Sequence, residues 1–236
     1  MVIGPEARLK LIHIFHILKV TMESIVTFSF PEVTCSYSLN RRGPRKYGTL
    51  NQLLASGTGV PSTVGMPDGK DVLRQDIRSS TKFTSIIDMD KSDAINEQLK
   101  SLDQNIYLSS SARYSVIEYI AGGFFLEHQD KKQKRTHCAT LLVFPPAVAN
   151  LEHTGGELIL DKGRFRFDSS SNKVWKFIAF HTELPHECKP ILSGRRVVFK
   201  TELYSLTPVI RDVPDYNEMI CDGSLQFMYD DEPRVE

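Results

Sequence analysis

No charge of one sign dominates this chain: 29 basic and 29 acidic residues cancel over 236 positions. Without a global field, the chain does not belong with proteins drawn non-specifically to nucleic acid or to anionic membranes, and any charged partner must be met by a local patch. Cysteine is sparse as well. Cys35, Cys138, Cys188 and Cys221 form no CxxC pair and lack the dense spacing of a disulfide-stapled secreted domain. They read as reduced thiols in an intracellular, reducing compartment, cytoplasm or nucleus. Apolar runs of bilayer-spanning length are missing too. The run at 11–18 is interrupted by His13 and His16, follows Glu6, and has no small-residue cleavage site after it. It reads as an amphipathic first helix rather than a span or a signal peptide, and no membrane partner is expected. There is no internal repeat, and no HExxH pairing to suggest a hydrolytic zinc site.

What the chain does have is a 41% hydrophobic content, enough to bury a core at this length. Residues 40–70 contain "RRGPRKYG" and "SGTGVPSTVGMPDG", whose Gly, Pro, Ser and Thr interrupt any long element and read as loop. Residues 88–102, "DMDKSDAINEQLKSL", place Ile95, Leu99 and Leu102 at helical spacing behind acidic and Ser residues suited to a helix start. Short β-rich runs follow at 114–120, 139–144, 156–160, 174–180 and 196–204, separated by turn residues such as Pro145-Pro146, Gly155-Gly156 and Ser193-Gly194. Several short strands without alternating long helices predict an antiparallel sandwich or jelly roll, mainly β with flanking helices (α+β). Residues 205–236 turn irregular and acidic, with eight Asp/Glu against two Arg, and read as a peripheral tail.

The candidate chemistry begins in "YIAGGFFLEHQD" at 119–130. In an extended segment, residues i and i+2 project from one face, so His128 and Asp130 offer a metal one imidazole nitrogen and one carboxylate oxygen. The triplet alone is weak evidence, because seven His and 15 Asp yield roughly 0.4 HxD triplets by chance. A third ligand has to come from His137, His153, His181 or His186. Of these, His186 stands out in "LPHECKPILSGRRVVFK", which leads through a Gly turn into a strand headed by Arg196. Two His and one carboxylate on one face leave open positions on a non-haem iron. A buried guanidinium such as Arg196 suits the far carboxylate of a diacid cosubstrate.

Together, YxxGxFFxxHxD at 119–130, "TLLVF" at 140–144, "GGEL" at 155–158, "HECKPILSGRR" at 186–196 and the opening "DIRSSTKF" at 76–83 resemble the catalytic domain of the Fe(II)/2-oxoglutarate-dependent dioxygenases, its prolyl 4-hydroxylase branch in particular. The resemblance implies a double-stranded β-helix core at 71–204, preceded by an N-terminal segment at 1–70 that packs on the core and followed by the tail at 205–236. It implies that His128, Asp130 and His186 bind Fe(II) and act as the catalytic centre. Arg196, ten residues after the distal His, would bind 2-oxoglutarate; Arg195 competes for that role, and strand alternation admits only one of them. Tyr119, Thr140 and Leu142 fall where the family lines the cosubstrate pocket. The implied reaction uses 2-oxoglutarate and O2 as cosubstrates, with ascorbate as an accessory reductant. It forms succinate and CO2 and hydroxylates a substrate, a prolyl residue of a protein being the expected target.

Phe144 stands where some relatives place a hydrogen-bonding Tyr, and phenylalanine cannot make that bond. Two rival functions remain open at this point. An oxidative demethylase of nucleic acid is disfavoured by the charge balance and by the adjacent rather than widely spaced arginines. A non-catalytic jelly-roll binding module is disfavoured because all four key positions are filled. His137 and His153 are expected in exposed polar loops, His181 is expected as a loop histidine, and "KKQKRTH" at 131–137 is expected as a solvated basic loop.

Overall fold

The computed structural model describes residues 24–38, 47–56, 58–65, 70–109, 112–132, 136–147 and 149–206. The helix expected at 11–18 and all of the acidic tail beyond residue 206 lie outside the described residues. The first half contributes β1 (Ile25–Phe30), β2 (Cys35–Ser38), β3 (Tyr47–Gly48), helix α1 (Leu50–Leu54), β4 (Val60–Pro61), β5 (Val64–Gly65), β6 (Asp71–Val72), β7 (Arg78–Ser79), β8 (Thr81–Met89), helix α2 (Ser92–Leu99), β9 (Ile106–Tyr107) and β10 (Arg113–Ile120). The second half adds β11 (Phe124–His128), β12 (His137–Phe144), β13 (His153–Gly155), β14 (Leu158–Leu160), β15 (Phe165–Phe167), β16 (Trp175–His181), β17 (His186–Cys188) and β18 (Ile191–Ser205).

These strands make a jelly-roll core of two antiparallel sheets. The major sheet runs β1-β16-β12-β18-β10-β8-β2-β3, and the minor sheet runs β15-β14-β17-β11-β7. All five predicted β runs are strands, although the last is the end of a longer one. β18 starts at Ile191, five residues before Arg196, because its first part pairs with β13 and the rest with β10 and β12. The segment 76–83 divides: β7 joins the minor sheet beside β11, and β8 joins the major sheet beside β10. Within the N-terminal region read as segment and loop, β1 pairs with β16 and β2 with β8, and α1 is closed by a capping box between Thr49 and Gln52.

The period-2 alternation of side chains sorts the major sheet into two faces. Its outer face carries Val116, Ala139, Leu141, Val143, Phe177, Ala179, Val197 and Phe199, which pack with Ile95 and Leu99 of α2 in one apolar cluster. Its inner face carries Ile117, Tyr119, Leu142, Phe144, Ile178, Phe180 and Val198, which pack against Leu158, Leu160 and Cys188 of the minor sheet in a second cluster. Because both faces of β12 are covered, all eight of its residues are buried, as in any strand at the centre of a layered core. The helix expected over 88–102 is shorter, Ser92–Leu99, because Asp88 and Met89 pair with Ser36 and Cys35 of β2. Its N-cap is Lys91, without a side-chain cap.

Candidate metal centre

The tight turn after β10 decides where β11 goes. Gly122 takes φ +81°, a left-handed conformation that a side chain disfavours, and the Gly123 N–H closes the turn on the Ile120 carbonyl at 2.7 Å. The chain thereby leaves the major sheet and enters the minor one, where β11 lies antiparallel to β17. In that register His128 stands directly opposite His186, with an irregularity between Phe125 and His128 that re-aims the strand end. Asp130 follows two residues later. Ligand atoms of His128, Asp130 and His186 all lie within 4.8 Å of one another, and this is the one such group among the described residues.

Each imidazole is fixed by its own backbone. His128 Nδ1–H donates to the Leu126 carbonyl at 2.9 Å, and His186 Nδ1–H donates to the Leu184 carbonyl at 3.0 Å. A carbonyl oxygen can only accept, so the proton is on Nδ1 in both rings and the Nε2 lone pair is left for a ligand. Phe125 stacks on the His128 ring at 3.5 Å between centroids, and Phe180 meets His186 edge-on at 4.8 Å. Burial pushes the His128 pKa down to about 3, assisted by the nearby His186, and burial likewise lowers that of His186. Both rings are therefore neutral near pH 7, the state that ligates a metal.

Asp130 is the anionic member. Burial alone would raise its pKa, but the Lys200 ammonium, His186 and the Thr140 hydroxyl outweigh that push and hold it well below the usual carboxylate range. Lys200 Nζ donates to Oδ1. Thr140 Oγ1 donates to Oδ2 at 2.5 Å, and that same oxygen sits 3.8 Å from His186 Nε2. Two neutral imidazole nitrogens and one ionised carboxylate converging with tethered rings fit a divalent transition metal, Fe(II) included.

A cavity beside this cluster is lined by Tyr119, Leu142, Leu158, Cys188, Arg196 and Lys200, among others. Of these, Arg196 is 2% exposed. Its guanidinium lies over Phe144 at 5.1 Å and Tyr119 at 5.6 Å, and Nη1 donates to Cys188 Sγ at 2.6 Å. Its Nε is buried with no hydrogen-bond partner. A buried cation with an unmet donor lining a cavity is a fit for a carboxylate. Gly156 makes room for it, since a Cβ there would stand 3.3 Å from Arg196 Cδ and 2.2 Å from Ile191 Cδ1.

No family model matches the chain, and no curated protein matches it in sequence. Solved structures do match. A prolyl-4-hydroxylase from Pseudomonas putida aligns at TM-score 0.49 and 14% identity, covering 80% of this chain and 96% of that one. A prolyl hydroxylase from Trichoplax adhaerens, in complex with a hypoxia inducible factor oxygen degradation domain peptide fragment, aligns at TM-score 0.48 and 16% identity, with 86% and 94% covered. A viral collagen prolyl hydroxylase from Paramecium Bursaria Chlorella virus-1, solved as a 2-oxoglutarate complex, aligns at TM-score 0.45 and 14% identity, with 79% and 98% covered.

Of the residues singled out from sequence, His128, Asp130 and His186 come together, and Tyr119, Leu142 and Arg196 line the adjoining cavity. Thr140 has a different place from the one expected: it faces the same interior but spends its hydroxyl on Asp130 instead of lining the cavity. Alternation separates the two arginines, since Arg195 points away and pairs with Glu118 at 2.9 Å. His137 and His153 are not in exposed loops. They stand on β12 and β13, 2% and 8% exposed, with ring nitrogens bonded to Ala139 and to Leu151 and Ser169. His181 ends β16, its Nδ1 bonded to the Cys138 carbonyl. Several cavity residues escaped sequence reasoning, among them Lys200, Cys188 and Arg78. Lys200 and Cys188 had a signal, because they share a parity with Arg196 and with His186 respectively. Arg78 had none, since its guanidinium reaches the site only through the β7–β11 pairing and lies 4.4 Å over the Phe125 ring.

Proposed function

We propose that this chain is an Fe(II)- and 2-oxoglutarate-dependent oxygenase that hydroxylates a prolyl residue of a protein, with succinate and CO2 as co-products. One observation carries the reading: the His128–Asp130–His186 cluster, neither Nε2 tied up in a backbone hydrogen bond, borders through its two imidazoles a cavity that it shares with a buried arginine whose Nε has no partner. His128, Asp130 and His186 would hold the iron, which when bound supplies the activation of O2. Arg196 would receive the distal carboxylate of 2-oxoglutarate by a charge-assisted pair, with Cys188 giving up its present hydrogen bond. Tyr119, Leu142 and Leu158 wall the cosubstrate from water, and Thr140 keeps Asp130 in its ligating orientation.

The prolyl target follows from the sequence blocks that this chain shares with the prolyl 4-hydroxylase branch, and ascorbate as an accessory reductant belongs to the same reading. Cys35 and Cys188 are free thiols, which suits a reducing compartment. Among the described residues no helix is long and apolar enough to cross a membrane.

The test is anaerobic addition of Fe(II) and then 2-oxoglutarate, followed by visible absorption. The wild-type protein is expected to develop a weak charge-transfer band, His186→Ala to lack it, and Arg196→Met to need at least roughly tenfold more 2-oxoglutarate. Absence of the band in folded, metal-loaded wild type would overturn the oxygenase reading and leave a jelly-roll binding module. A panel of prolyl peptides, scored by succinate formed per peptide hydroxylated, then tests the substrate.

A further inference from the structure

Lys200 is a cation in direct contact with the candidate ligand set, through Asp130. It stands four positions after Arg196 on the inner face of β18, opposite Leu142 on one side and Ser115 on the other. Its ammonium is bonded to Asp130 Oδ1, and its side chain is 29% exposed against 6% for the carboxylate. Both Asp130 oxygens are therefore engaged, Oδ1 by a full positive charge and Oδ2 by the Thr140 hydroxyl.

The two partners differ in kind. Thr140 contributes a neutral hydrogen bond, which orients the carboxylate without changing the charge that a metal meets. Lys200 neutralises that charge. A carboxylate buried this deeply without a cation would be strongly destabilising, so some positive charge is required whenever no metal is bound. A divalent ion brings a second, competing positive charge to the same group, and in a poorly solvated interior two such charges repel strongly. Because a protonated amine offers a metal no lone pair, Lys200 cannot become a further ligand while it keeps this role.

We propose that Lys200 is a built-in competitor of the metal: it keeps the metal-free centre folded and, by the same contact, lowers the centre's affinity for a divalent cation. The proposal rests on the metal-centre reading above and concerns this chain's own regulation of that centre. A residue that merely orients Asp130 would have the opposite signature, since its removal would loosen a ligand and weaken metal binding.

The experiment compares the full-length wild type with Lys200→Met, Lys200→Arg, Thr140→Val and His186→Ala. Co(II) affinity is measured by calorimetric titration, and thermal unfolding is followed with and without Co(II). Lys200→Met is expected to bind Co(II) at least tenfold more tightly, to unfold at a lower temperature without metal, and to show a larger metal-induced rise. Lys200→Arg keeps the charge and stays within about threefold of wild type, while Thr140→Val binds no more tightly than wild type. If Lys200→Met does not accumulate, Lys200→Gln retains an N–H donor without the charge and is expected to show the same tightening. Unchanged or weaker Co(II) binding in the neutral variants would overturn the proposal. A wild type that binds Co(II) no better than His186→Ala would instead overturn the metal centre itself, and with it the role of Lys200.

Discussion

The two faces of the major sheet are built from the same strands and do opposite work. On β18 the odd positions Val197, Phe199 and Leu203 belong to the outer apolar cluster, while the even positions Arg196, Val198 and Lys200 face the minor sheet and the candidate metal centre. On β10 the parity is reversed: Val116 is outer, Ile117 and Tyr119 are inner. The outer face is mainly apolar, its polar members being Thr201, bonded to the Arg113 carbonyl, and the Arg195–Glu118 pair. The inner face mixes apolar residues with a buried arginine, a lysine and a threonine, each costly to bury and each aimed at the cavity or at Asp130. One face is where stability resides, and the other is where stability has been surrendered for chemistry.

The sharpest way to break that contrast is to truncate the outer face. Phe199 is fully buried, with Tyr37 and Trp175 rings each 5.9 Å away. Phe199→Ala is expected to cost about 3–5 kcal/mol by denaturant unfolding, from lost burial plus the cavity left behind. If the cost were under about 1 kcal/mol, the outer cluster would not be the source of stability that its packing indicates.

Acid sharpens the inner side of the contrast. His128 and His186 are both held below their ordinary pKa by burial, so the unfolded chain takes up protons on these rings that the folded protein refuses. Their contribution is complete above about pH 6.5 and is lost as pH falls. Each ring that stays neutral in the fold adds a slope of about 1.4 kcal/mol per pH unit, continuing for His128 towards about pH 3. Asp130, also held low, joins only below the ordinary carboxylate range. Denaturant unfolding of the metal-free protein between pH 7.5 and 5 should show stability falling, and His128→Ala should flatten the dependence. A profile that is flat in both would remove the buried neutral imidazoles from the account.

Much of this division could be read from the chain. Strand runs broken by Gly and Pro pairs gave the β class, and the HxD spacing with a later His before an Arg-bearing strand picked out the three side chains that come together. What could not be read depends on pairing between distant segments. The pattern IVTFSF at Ile25–Phe30 alternates as a strand should, yet its partner β16 lies some 150 residues away, and nothing local announces it. Arg78 comes near Phe125 only because β7 pairs with β11. His137 and His153 looked like loop residues because polar neighbours surround them in sequence, whereas β18 covers both of their strands. Thr140 had the right parity for the cavity, but the direction of its hydroxyl was decided by Asp130 arriving from the other sheet.

The smallest expected effects come from the adjacent arginines, and they separate the faces most cleanly. Arg196 is buried with Nε unsatisfied, so Arg196→Met replaces a desolvated cation by an apolar chain of similar length. Such replacements are often neutral or stabilising, and unfolding is expected to shift by no more than about 1 kcal/mol in the unfavourable direction, even as the proposed 2-oxoglutarate binding weakens at least roughly tenfold. Arg195, one position along, turns outward to a partly exposed pair with Glu118. Arg195→Ala is expected to change stability by about 0–1 kcal/mol, an effect that shrinks further in salt, and to leave 2-oxoglutarate binding unchanged. If Arg195→Ala instead weakened 2-oxoglutarate binding as much as Arg196→Met, the alternation of β18 could not be what selects the cosubstrate cation, and the assignment of the inner face would have to be redrawn.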